Sequence, residues 1–387
     1  MNSWFKAVFA ISLVFGCNAT VAGPICQGEQ KISQEFVNGT KWELCWEHKN
    51  KQGIVLKEIF FTTPDGLERK VLKEASLAQI HVAFDNGVRR DFHMENYGLG
   101  GNNMQDLASS QCDNGQLLMV GAKHAMCRRV KERGYVFKYY SEEKQGHLLD
   151  LYSQSNTGGY TWIIRWRFYD DGTIEPLIGA TGALQTFGSD PNYGEETDES
   201  GLIAIASTIN YFWRLDFDIA GNGANDIVEE FNVAPDGDGS KKIMTVSRLT
   251  TETGREINQQ LKRSWRVRDG SVTNTDGHPI SYHLDSVHVG YLYSGRSDEA
   301  WAQSDIYFTR KNACEQFVAN NPSGGGCASD VTGYLNGQNI DGAEIVVWYG
   351  MTNHHIPRAE DQPYIPTRWD SFQLIPRDWT STSTIAF

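Results

Sequence analysis

From residue 53 onward the hydrophobic positions fall in short apolar or alternating runs, each closed by turn-forming residues. The run 54–62 ends at Thr63-Pro64-Asp65-Gly66, the run 160–168 ends near Asp170-Asp171-Gly172, and the run 215–220 ends at Gly221-Asn222-Gly223. Runs 227–233 and 243–249 follow. Asp-Gly and Asn-Gly pairs between such runs are hairpin signals. Within 160–168, Tyr160, Trp162, Ile164, Trp166 and Phe168 occupy one face, while Thr161, Ile163, Arg165 and Arg167 occupy the other. That period of two predicts a strand with one aromatic wall. Helical spacing is scarce, and 313–318 is the best short candidate. The pattern predicts an all-β fold, a large antiparallel β-sandwich with few short helices. No linker or internal repeat divides it, so residues 23–387 read as one domain.

The chain has 387 residues, 40% of them hydrophobic and 12% aromatic, enough to bury a large core and too rich in Trp for a disordered protein. With 35 basic against 48 acidic side chains, a formal charge of −13 and no basic cluster, the composition argues against nucleic acid as a partner.

The first 22 residues carry one charge, Lys6, then an apolar run over 7–16, then small residues at Ala19, Thr20, Ala22 and Gly23. That is the order of a secretory signal peptide, and the run is too short for a transmembrane anchor. Cleavage near Ala22 would remove Lys6 and take the charge to −14. A lipoprotein reading through Cys17 is the alternative, which Phe15 fits poorly. Loss of Cys17 leaves six cysteines in three close pairs, expected as Cys26–Cys45, Cys112–Cys127 and Cys314–Cys327 in a secreted or periplasmic protein, although six cysteines permit other connectivities. No Cys-x-x-Cys spacing supports a structural zinc site.

Several segments, in order, resemble the catalytic domain of copper/topaquinone amine oxidases. They are Gly53-Ile54-Val55-Leu56 with Ser76-Leu77-Ala78, then Asn96-Tyr97-Gly98-Leu99-Gly100, then Tyr160-Thr161-Trp162 running into residues 168–175 and Gly179-Ala180-Thr181-Gly182. Arg214-Leu215-Asp216-Phe217-Asp218, Val347-Trp348-Tyr349 and the segment from His354-His355 to Asp361 complete the match. The family's smaller N-terminal domains have no counterpart in this match. The resemblance implies the family's β-supersandwich and an assembly as a homodimer. It also implies copper-dependent conversion of a tyrosine to topaquinone, and oxidation of small primary amines to aldehyde with release of ammonia and hydrogen peroxide.

Carried over residue by residue, Tyr160 aligns with the topaquinone precursor. The family's Asn before it is Gly159 and the acid after it is Thr161. His355 matches the third copper ligand, but the His-x-His pair falls on Ser207 and Ile209. The carboxylate base position holds His93, with Asp91 and Glu95 nearby, and the gate tyrosine position holds Phe84. Copper(II) needs several nitrogen donors, and one imidazole does not hold it in the family geometry. A second, calcium-type site is implied at Asp216, the Phe217 carbonyl, Asp218 and Glu344, since Asp-x-Asp on one strand would point both carboxylates to one face. His278, His283 and His288 show no ligand spacing and read as structural; His354 reads as a turn residue beside His355.

Three functions are consistent with these residues: an exported family member whose redox centre has decayed, kept for binding or assembly; an active primary-amine oxidase with relocated ligands; and a carbohydrate- or surface-binding module displaying exposed tryptophans.

Overall fold

The computed structural model describes residues 23–28, 30–197, 200–286, 298–322 and 326–385. The strands that frame the site are β1 (Glu68–Phe84), β2 (Glu142–Thr157), β3 (Tyr160–Tyr169), β4 (Ile174–Ala183), β5 (Ser207–Phe217), β6 (Ile345–His355) and β7 (Tyr364–Arg377). Two large sheets contain them, and every strand pairing is antiparallel. The first sheet runs Gln30–Glu35, Lys41–Lys49, Gly53–Thr62, β1, β5, β6, Ile306–Arg310 and Thr253–Arg255, with Arg90–Phe92 hydrogen-bonded to β1. The second runs Lys241–Leu249, Asp226–Asp236, Ser264–Thr273, Pro279–Ser286, β7, β4, β3, β2, Lys123–Tyr139 and Gln116–Val120. The expected antiparallel sandwich is present.

Alternation decides what lies between the sheets. On β3, Tyr160, Trp162, Ile164, Trp166 and Phe168 are buried in the main core and their odd neighbours are only half-buried. On β5, Ile209, Tyr211, Trp213, Leu215 and Phe217 face the same core, whereas Phe212 faces a second cluster behind the first sheet with Trp348 and Trp301. β6 keeps this phase: Val347, Tyr349 and Met351 point inward, and Val346 and Trp348 point to the rear. Because a strand's faces alternate without a break, the same phase carries Ser207 and His355 inward at the strand ends.

The helix expected at 313–318 is not formed. The Asn321 side chain takes over that backbone instead: its amide donates to the Cys314 carbonyl, and its oxygen accepts from the N–H groups of Gln316 and Phe317. A side chain that satisfies the backbone locally removes the need for helical hydrogen bonds. Among the described residues the α-helices are His93–Asn96, Ser109–Cys112 and Val331–Tyr334, each a single turn, beside a few three-residue 3-10 turns. The three expected disulfides are formed, Cys26–Cys45, Cys112–Cys127 and Cys314–Cys327. The segment 1–22, with its signal-peptide expectation, and His288 lie outside the described residues. No described helix is long and apolar enough to cross a membrane.

Candidate functional site

Tyr160 opens β3 directly after a two-residue hairpin turn, Gly158-Gly159, that pairs Thr157 with Tyr160. Both glycines have positive φ (58° and 90°), as the tightest hairpin turns demand. Space is also tight: a Cβ on Gly159 would sit 2.5 Å from the Gln185 amide nitrogen and displace that side chain, and one on Gly158 would sit 3.0 Å from the His93 ring. Gly159, where the resemblance expects Asn, suits the positive φ of this turn.

The Tyr160 ring is buried, stacks on Trp162 at 4.9 Å between centroids, and meets the edge of His93 at 5.9 Å. Burial pushes its phenol up to about 12, with the Ser207 hydroxyl pulling the other way. The phenol is thus held neutral at physiological pH.

Opposite Tyr160, the first sheet presents one inward row. Phe84 on β1 pairs with Ser207 on β5, and Ser207 pairs with His355 on β6. Two residues further along, Ile209 pairs with Asn353. A cavity of about 10 Å³ lies between Tyr160, Ile209, Asn353, His355, Ile365 and Arg368. That is about the room one water needs.

Asp361 and Arg368 supply the polar partners here, and the sequence reading assigned neither a role. His355 Nε2 lies 2.8 Å from Asp361 Oδ2, and Asp361 is fully buried and also accepts from the Arg358 backbone N–H. Burial lowers the His355 pKa, the Asp361 bond partly restores it, and the Arg368 guanidinium lowers it again. Deeper in, Asn353 donates to Asp370, and Tyr211 is pushed well up by burial and by Asp370. Neighbouring His354 points away and pairs with Asp85 at 2.8 Å; it was expected in a turn but lies in β6, paired with Thr208.

This donor set does not fit copper. One imidazole, already engaged by a carboxylate, faces a hydroxyl at Ser207, a hydrocarbon at Ile209 and a guanidinium at Arg368. A Cu(II) site wants several nitrogen donors and no fixed positive charge beside the metal. Among the described residues no three His, Cys, Asp or Glu side chains gather in metal-holding geometry.

His93, at the base position, is fully buried on its single helical turn. Its Nδ1 lies 2.6 Å from Thr157 Oγ1, and the Trp162 indole N–H, 2.7 Å from that hydroxyl, donates to it. The relay Trp162 to Thr157 to His93 uses the Nδ1 lone pair and leaves Nε2 buried without a hydrogen-bond partner. Burial, helped by Arg89 and His81, depresses the ring to about 3. A base that weak, with its lone pair spent, is poorly suited to taking a proton from carbon at neutral pH. The alternative acids stand aside: Asp91 pairs with Arg89 at 2.7 Å, and Glu95 lies two residues further on the same turn. Phe84 packs edge-on against Phe187 at 4.9 Å.

The calcium-type residues separate into two ion-paired groups. β5 ends at Phe217, so Asp218 lies just past the strand, with φ −155° and ψ 62°, and the expected alternation does not reach it. Asp218 meets Lys70 at 3.0 Å; Asp216 meets Lys311 at 3.0 Å, and Lys311 also holds Glu344 at 2.6 Å. The Phe217 side chain is core. Asp218 thus lies one residue beyond the strand on which the two carboxylates were expected to alternate. His278 and His283 lie on or beside the strand Pro279–Ser286, where His283 meets the Phe231 ring at 6.0 Å. Every described tryptophan except Trp369 is buried, which removes the main support for a module that displays tryptophans.

Comparison with known proteins bears on this arrangement. The family described as copper amine oxidase, enzyme domain, matches residues 126–386, a stretch that holds Tyr160, Ser207, Ile209 and His355 but not His93 or Phe84. A primary amine oxidase of Arthrobacter sp. is 23% identical over 91% of this chain and 62% of its own length. A histamine oxidase of Arthrobacter globiformis is 25% identical over 87% of this chain and 54% of its own. The chain thus spans little more than half the length of these relatives. Among solved structures, a copper-containing benzylamine oxidase from Hansenula polymorpha superposes with a TM-score of 0.76 at 16% identity, over 99% of this chain and 66% of the other. An Aspergillus nidulans amine oxidase gives 0.75 at 18%, over 100% and 57%.

Proposed function

The chain belongs to the copper amine oxidase family, and on that premise we propose that it is a non-oxidising member in which Tyr160 stays a tyrosine and the sandwich serves binding or assembly. The observation that carries this reading is the row Phe84–Ser207–His355 with Ile209 beside it, where a hydroxyl and a hydrocarbon stand at two ligand positions. Without a metal held against the Tyr160 ring there is no route to the quinone, and without the quinone there is no carbonyl for a primary amine to attack. His93 then acts as a core residue, locking the Gly158-Gly159 turn against Trp162. The 10 Å³ cavity leaves no room for an amine beside the ring.

Export fits this reading. Three disulfides close loops with sequence separations of 19, 15 and 13 residues, and such bonds persist in oxidising compartments. A homodimer is the proposed assembly. Ile243, Met244 and Val246 are exposed on the edge strand Lys241–Leu249, and an apolar edge of that kind calls for a partner.

The test is an assay of peroxide release from a panel of simple primary amines by protein purified after expression in copper. The expected result is no amine-dependent peroxide. Turnover that requires both copper and amine would restore the reading as an active oxidase with relocated ligands.

A further inference from the structure

At the far end of β5 from Ser207, the structure brings two carboxylates and two ammonium groups together beside an open pocket. Asp216 is 1% exposed; its Oδ2 lies 3.0 Å from Lys311 Nζ, and its Oδ1 is buried with no hydrogen-bond partner. Glu344 Oε1 lies 2.6 Å from Lys311 Nζ and 2.9 Å from Lys73 Nζ. The Lys311 backbone N–H donates to the Glu344 carbonyl at 2.9 Å, so the ammonium group is tethered to the residue it neutralises. Arg214, also 1% exposed, adds a guanidinium 3.9 Å from Asp216. A cavity of about 440 Å³ whose charged lining is Lys57, Glu58, Lys73, Glu74, Asp216 and Lys311, with Arg214 behind them, opens onto this group, wide enough for a hydrated ion to reach the carboxylates.

We propose that Lys311 is a built-in cation: its ammonium bridges Asp216 and Glu344 in the place a divalent ion would take, and makes this end of the sandwich independent of calcium. A buried carboxylate needs a positive partner, and calcium would supply it by gathering six to eight oxygens. Here the partner is covalently part of the chain, so no ion has to be bound or retained. The neighbouring Lys73 reinforces the choice by placing a second ammonium on Glu344, whereas Arg214 is neutralised mainly by Glu74 at 3.0 Å, so the ion is displaced by the two lysines. The proposal stands apart from the redox reading, since none of its residues contacts Tyr160 or His355.

The test compares thermal unfolding of the wild type, Lys311→Met, Lys73→Met/Lys311→Met and Asp216→Asn/Lys311→Met in EDTA and in about 10 mM calcium chloride, high enough to fill even a weak, millimolar site. The wild type should carry no stoichiometric calcium and keep one midpoint in both buffers. Lys311→Met should unfold roughly 5 °C or more lower in EDTA and recover part of that loss in calcium, with a larger recovery in the Lys73→Met/Lys311→Met variant. Asp216→Asn/Lys311→Met, which removes the stranded carboxylate with its partner, should fold near the wild-type midpoint and ignore calcium. A wild type that holds calcium or loses stability in EDTA overturns the proposal. So does a Lys311→Met protein that is as stable as wild type, or destabilised with no response to calcium in either methionine variant. Should Lys311→Met fail to fold, the wild-type measurements and the Asp216→Asn/Lys311→Met variant decide it alone.

Discussion

Ser207 and His355 are directly paired across β5 and β6, both inward-facing, with Tyr160 on the opposite sheet. The resemblance puts a copper-ligating imidazole at each of these two positions; one is present and the other is a hydroxyl. The strand pairing that sets the two side chains side by side is regular on both sides of this position.

That relationship can be reversed by substitution. S207H/I209H puts three imidazoles back on the inward faces of β5 and β6. The cavity is too small for the added rings, so the variant should lose about 1–3 kcal/mol of stability from overpacking. It should nonetheless take up Cu(II) with a nitrogen-ligated signal in electron paramagnetic resonance that the wild type lacks. Equal copper signals in the two proteins would mean that the donors lie elsewhere.

His93 should make the fold acid-sensitive. Its folded value, about 3, lies below the ordinary 6.5, so its neutral form is the one the fold accepts. Its contribution is therefore present above pH 6.5 and lost as pH falls from 6.5 toward 3. Each unit within that window costs about 1.4 kcal/mol. H93Q should lose about 2 kcal/mol less than wild type between pH 7 and pH 5, read as urea midpoints. His81, His283 and His355 are also shifted down by burial, so some acid sensitivity should remain in the variant. Parallel pH profiles for the two proteins would show that His93 is not held neutral.

Asp226 and Asp269 face each other as partners across adjacent strands, both fully buried. Burial, then Asp218 and Asp269, push the Asp226 carboxyl well up, and the Ile219 backbone N–H pulls only weakly the other way. With the folded value above the unfolded one, its contribution is present below the unfolded value and lost as pH rises through the folded one. D226N fixes the neutral form. It should stabilise the protein by about 2 kcal/mol at pH 8 and by much less at pH 4, in chemical denaturation at both values. A destabilised D226N at pH 8 would show that the charged form has a partner.

How much of this was legible in the sequence depended on distance along the chain. The aromatic wall of β3 needs only a period of two, so Tyr160, Trp162, Ile164, Trp166 and Phe168 could be placed from spacing alone. The three disulfides join near neighbours, and they too could be read. The positions of Ser207, Ile209 and His355 came from ordered motifs, and strand register then brought them together. Asp361, Arg368 and Lys311 were missed because their roles exist only through contacts made by the fold. Arg368 lies on an exposed-looking stretch of β7 and turns inward opposite Ala180; its one sequence signal was the lone charged residue between Thr367 and Trp369. Asp218 was misplaced because hydrophobic spacing does not mark a strand's last residue, and 313–318 because a single distant Asn321 side chain rewired its backbone.

The central claim is that no metal is held against Tyr160 and that the ring stays a phenol. The most direct measurement is copper content per chain together with the visible absorbance of protein expressed in excess copper. The expected result is copper well below one per chain and no quinone band. One copper per chain with a visible quinone absorbance would contradict the account.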